Sequence, residues 1–120
     1  MTKFFPLIPT PGAMQSKANV AALKERLDWG EPALTIIDVS DLDTFNASHI
    51  MGAIAMPLGE LVSRARAALE TNRDIYVYGQ TAEQTAAAAS QLRAAGYQNI
   101  AELMGGLAAW KGSEYPIEGL

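Results

Sequence analysis

Apolar positions recur along this chain in two rhythms that take turns. Val20, Leu23 and Leu27 stand at helical spacing, which predicts a packing helix over residues 17–28 with Ser16 able to cap its start. Residues 34–39 then form a largely apolar run rich in β-branched side chains, the signature of a parallel strand buried on both faces. A short second strand is predicted at residues 53–56. Pro57 introduces the next helix, whose Leu58, Leu61, Val62, Ala65 and Leu69 make one apolar stripe. Residues 75–78 read as a strand and residues 82–95 as a helix. The small side chains from Ala86 to Ala89 allow that helix to pack closely on a sheet, and Gly96 reads as its terminating residue. A last strand at residues 100–103 precedes Gly105 and Gly106, which open a short helix through Trp110. Strands separated by helices imply right-handed crossovers, hence an α/β fold with a mostly parallel central sheet flanked by helices.

The segment from the third of these strands into the alanine-rich helix carries the main candidate for chemistry. Its loop, Gly79, Gln80, Thr81, Ala82, Glu83, Gln84 and Thr85, leaves the carboxyl end of a strand and enters a helix N-terminus. That geometry aims unpaired backbone N–H groups and the positive end of a helix dipole at one small volume, an anion-binding cradle. A reagent is missing. The loop holds no Cys, Ser, His, Lys or Arg, and the whole chain has no cysteine, so no thiolate nucleophile exists. Thr81 and Thr85 are its only hydroxyls, with no evident base to activate either.

Other polar residues have plainer readings. Asp38 and Ser40 mark a polar exit at the carboxyl end of the strand over residues 34–39, where open α/β sheets meet ligands. A general-base role for Asp38 is weighed against a structural one, accepting the backbone hydrogen bonds that fix the strand exit, and the structural role is favoured. His49 is the only histidine, and without a second histidine or a cysteine a typical zinc site is not expected. Tyr97 and Trp110 read as packing residues, and the five scattered methionines as gap-fillers.

With 120 residues, 49% hydrophobic and 18% charged, the chain fits one globular domain, taken as residues 17–120 after a proline-interrupted extension over residues 1–16. Phe4, Phe5, Leu7 and Ile8 in that extension are a second candidate binding surface, an apolar arm for a partner's groove. Prolines at 6, 9 and 11 make it a poor secretory signal. No apolar run approaches the ~18 residues of a membrane span. The formal charge of −4 offers no long-range attraction to nucleic acid. Without cysteine the simplest expected location is cytoplasmic.

Three separated motifs give the chain a family resemblance. Ile37, Asp38, Val39 and Ser40, followed by residues 45–58 around His49, Gly52 and Pro57, resemble the opening signature of rhodanese-like domains. Residues 95–100, with Ala95, Gly96 and Tyr97, and residues 103–110, ending in Gly105, Gly106 and Trp110, resemble its closing signature. The resemblance spans about residues 17 to 118. It implies a rhodanese-like α/β fold and places Gly79 where sulfurtransferases of the family carry their persulfide-forming cysteine. Gln80 and Gln84 fall where that family has arginines, Ala82 where it has glycine, and Thr85 on its small hydroxyl residue. Ser40 and Thr44 replace a customary arginine and glutamate, and His49 falls in a scaffold turn. The resemblance therefore implies a catalytically inactive member, without cofactor, that serves as a protein-interaction or regulatory module. The loop surface of Gln80, Thr81, Glu83 and Gln84 would offer hydrogen bonds to another protein. Two alternatives stay open: a small-anion sensor or enzyme that uses the loop without a thiol, and a structural subunit.

Overall fold

The computed structural model describes residues 14–30 and 33–119. Phe4, Phe5, Leu7 and Ile8 lie outside the described residues. A five-stranded, wholly parallel sheet runs in the order β1 (Lys17–Ala18), β6 (Asn99–Leu103), β5 (Asp74–Tyr78), β2 (Leu34–Asp38) and β4 (Ile54–Ala55). The helices are α1 (Val20–Asp28), α2 (Leu42–Ala47), α3 (Leu61–Ala68), α4 (Ala82–Ala94) and α5 (Gly106–Gly112). Two short strands, β3 (His49–Ile50) and β7 (Ile117–Glu118), form a separate antiparallel pair.

Alternation along the central strands sorts side chains into two cores. Ile37, Val39, Ile75, Val77 and Ile100 point to one face, where they pack with Leu61 and Ala65 of α3 and Ala88, Ala89 and Leu92 of α4. Ile36, Tyr76, Tyr78, Ala101 and Leu103 point to the other and pack with Val20 and Leu23 of α1 and Trp110 of α5. The expected close approach of α4 is seen in Ala88 and Ala89, both without solvent exposure. Gly96 ends that helix at φ +100°, a conformation that side chains other than glycine's rarely take.

The chain departs from expectation near its start. Residues 17–18 are not the first turn of a helix. They extend as β1 beside β6, and the helix begins at Val20 with Asn19, not Ser16, as its cap: the Asn19 side chain accepts from the Ala22 N–H at 2.8 Å. Ser16 instead lends its carbonyl to the N–H of Glu102, prolonging the β1–β6 pairing. The helix expected after Pro57 opens as a single 3-10 turn, Leu58–Glu60, before α3.

Candidate functional site

Parallel strands all end on one side of a sheet, so the exits of β2, β5 and β6 meet at one edge of the molecule. β5 stops at Tyr78, α4 starts at Ala82, and residues 79–81 turn between them. Thr81 is the helix cap, its Oγ1 accepting from the Gln84 N–H at 3.0 Å. The β6–α5 turn closes on this loop from the side. Gly106, at φ +52°, sits so near that a Cβ there would lie 3.4 Å from the Gly79 carbonyl oxygen.

The expected cradle of unpaired N–H groups is largely filled by the loop itself. Gly79 N–H donates to Thr85 Oγ1 at 2.9 Å, and that hydroxyl donates onward to the Thr81 carbonyl at 3.0 Å. Gln80 N–H donates to Gln84 Oε1 at 2.7 Å. The Gln84 side chain curls back over the loop, so its amide oxygen takes the place an anion would take. Only Thr81, Ala82 and Glu83 keep N–H groups without a hydrogen-bond partner among the described residues. Gln80, Thr81, Ala82 and Glu83 are exposed, Gln84 is half-buried and Thr85 is buried. The outward face of the loop is thus neutral except for one carboxylate.

Asp38 and Ser40 are near the loop but are no open surface: they are 1% and 3% exposed. Asp38 Oδ1 accepts from the Ser40 N–H at 2.8 Å, the strand-exit role favoured from sequence. Beside it, the Tyr78 hydroxyl accepts from the Ile50 N–H at 3.0 Å. Burial holds that phenol far above the ordinary tyrosine range, and the Asp38 charge adds to the effect. Gln80 reaches across the gap, its Nε2 donating to Thr44 Oγ1 at 3.3 Å, and ties the loop to α2.

His49 belongs to the scaffold. Its ring stacks on Phe45 at 3.7 Å between centroids, and its Nδ1–H donates to the Phe45 carbonyl at 2.7 Å. Tyr97 and Trp110 are buried, with the Tyr97 hydroxyl donating to Leu69 O and the Trp110 indole N–H to Pro116 O.

Sequence reasoning missed one neighbour of the loop. Lys17, taken as part of a helix, lines a cavity of about 230 Å³ together with Thr81, Ala82, Glu102 and Met104. Its arrival depends on β1 pairing with β6 across 85 positions, Lys17 against Glu102, which no local pattern encodes.

Residues 19–113 match the rhodanese-like domain family. A crystal structure of the Alr3790 protein from Anabaena sp. is 55% identical and superposes with a TM-score of 0.84, over 86% of this chain and 92% of that one. The uncharacterized protein YqhL of Bacillus subtilis is 35% identical over 98 residues, 82% of this chain and 77% of its own. The putative sulfur carrier protein YrkF of the same organism is 29% identical over 94 residues. This chain spans half the length of YrkF. The matched residues and the superposition agree: the chain belongs to the rhodanese-like domain family, as a member with no cysteine and therefore no thiol for sulfur transfer.

Proposed function

We propose that this domain works without catalysis, as a protein-interaction or regulatory module whose recognition surface is the loop over residues 79–85. The observation that carries this reading is the Gln84 side chain seated on the Gln80 N–H. It satisfies from within one of the N–H groups an anionic substrate would use, and Gln80, Thr81 and Glu83 face solvent. Uncharged amide and hydroxyl groups on a rigid strand-to-helix turn suit hydrogen bonding to a protein backbone. They are poorly suited to stabilising a developing anion, which needs aligned donors or cations. The expected setting is the cytoplasm. Among the described residues no helix is long and apolar enough to cross a membrane.

Affinity capture from the native lysate tests the reading. A stoichiometric partner held by the wild type and lost when Gln80, Glu83 and Gln84 are changed to Ala supports it. A partner held equally by both forms turns the domain into a structural subunit.

A second reading draws support from Lys17, which brings a cation to the side of the loop where Thr81 and Ala82 retain N–H groups. Weak phosphate or sulfate binding that disappears with Lys17→Ala would favour it.

A further inference from the structure

Trp29 is 80% exposed, whereas Trp110, the other tryptophan of the chain, is 1% exposed. Tryptophan is highly buried on average, so a nearly bare indole asks for a partner. A loose turn does not account for it. Trp29 closes α1 with its N–H donating to Glu25 O at 3.0 Å, and the Gly30 N–H donates to Leu27 O at 3.0 Å. The helix end therefore holds the indole outward on a fixed backbone.

The surroundings of Trp29 continue its apolar character. Leu27 in the last turn of α1, Leu34 at the start of β2 and Met14 ahead of β1 are each half-buried against the second core. All of them lie at the end of the molecule where the parallel strands begin. Helix α1 runs back to that end to deliver the chain to β2, and the β1 register, with Lys17 opposite Glu102, puts Met14 level with Asn99 at the start of β6. The described chain thus enters on the same edge that carries the bare indole.

Ahead of Met14 the sequence brings Phe4, Phe5, Leu7 and Ile8. Their reach is sufficient. β1 and β2 stand three strand spacings apart, about 14 Å, and the nine peptide links from Phe5 to Met14 extend up to about 30 Å. Charge agrees with apolar character. Glu25 is exposed at the negative carbonyl end of α1, Arg26 is turned away to Asp74 and Tyr76, and Lys3 adjoins Phe4.

We infer that residues 4–8 fold back within their own chain to cover Trp29. The apolar arm is then part of the domain's packing instead of an anchor for another protein, and this assignment stands or falls independently of the loop over residues 79–85.

The test is the emission wavelength and acrylamide quenching of Trp29 in the full chain, with Trp29→Phe supplying the Trp110 signal for subtraction. The comparison is a full-length form carrying Phe4→Ser, Phe5→Ser, Leu7→Ser and Ile8→Ser. The expected result is a blue-shifted, weakly quenched Trp29 in the wild type that moves to the wavelength and quenching of free N-acetyltryptophanamide in the serine form. Trp110 emission, unchanged by the serine substitutions in the Trp29→Phe background, shows that the core stays folded. A nuclear Overhauser contact between the Trp29 indole and a ring of Phe4 or Phe5 in the wild type supports the assignment without any variant. Equal quenching of Trp29 in the wild-type and serine forms would overturn it. Shielding lost on dilution would place the arm on a second copy and overturn the contact within one chain.

Discussion

The side-chain oxygen of Gln84 stands where a Cβ on Gly79 would have to be. A Cβ built on Gly79 overlaps Gln84 Oε1 and lies 3.0 Å from both Gln84 Cδ and Val39 Cγ2. Gly79 is not among the glycines with positive φ, so its backbone accepts other residues and the obstacle is steric. The two positions are therefore coupled: glycine at 79 permits the inward glutamine at 84, and a larger residue at 79 requires that flexible side chain to swing outward and give up the Gln80 N–H.

Gly79→Cys alone should cost stability by about 0.5–1.5 kcal/mol, the worth of the Gln80 N–H to Gln84 hydrogen bond lost when Gln84 swings out. Gln84→Ala should cost a similar amount and the double change little more than either, a non-additivity of roughly 0.5–1.5 kcal/mol in a double-mutant cycle by urea denaturation. Additive effects would show that the two residues do not compete for one volume. The triple form, with Gly79→Cys, Gln80→Arg and Gln84→Arg, removes the obstacle and supplies the cations. If that form folds and stays inert toward thiosulfate, the geometry of the loop has diverged as well as its reagents.

Thr85→Val should destabilise the domain by about 1–3 kcal/mol although the two side chains are nearly isosteric. The Thr85 hydroxyl both accepts from Gly79 N–H and donates to the Thr81 carbonyl, and valine can do neither. Amide exchange at Gly79 reports the local part of this effect, and protection equal to wild type would count against it.

Alkaline pH should unfold the protein through Tyr78. In the unfolded chain a tyrosine loses its proton near pH 10, whereas burial keeps the folded phenol protonated well beyond that. Above pH 10 the native state thus binds more protons than the unfolded state, so stability falls as pH rises. The slope approaches about 1.4 kcal/mol per pH unit for this one group. Below pH 10 the contribution is constant. Tyr78→Phe should flatten the alkaline slope, measured as urea midpoints from pH 8 to about pH 11. At neutral pH the same change should cost about 1–3 kcal/mol, because the Ile50 N–H loses its acceptor.

Purified wild-type protein should form no thiocyanate from thiosulfate and cyanide, and no sulfide from 3-mercaptopyruvate with a thiol reductant, even in excess. Gly79 offers no leaving or accepting sulfur, and the chain contains no cysteine elsewhere to replace it. Turnover that survives substitution of residues 80–84 would point to a route that does not use the loop.

The three central strands and α4 were legible because each carries its own local signal: β-branched apolar runs at residues 34–39 and 75–78, and a small-residue helix closed by Gly96. Elements without such a signal escaped. Helix α2 buries none of its residues, so no apolar stripe announces it, although Asp41 caps it by accepting the Thr44 N–H at 2.8 Å. Strands β1, β3 and β7 have two residues each and exist only through partners far along the chain, as His49 pairs with Glu118. At the loop, residue identities revealed what chemistry was lost. That Gln84 turns inward was not legible, since a glutamine at this spacing can equally reach for solvent. The burial of Asp38 and Ser40 likewise depends on how β5 and α5 close over them.

The most direct test of the loop as a recognition surface is amide hydrogen exchange of this domain alone and within its captured complex. Protection on binding should concentrate at residues 79–85 and in the facing segment of residues 38–48. Protection confined to the outer faces of α1, α3 or α5, with the loop exchanging as freely as in the isolated domain, would contradict it and leave the fold as a structural support.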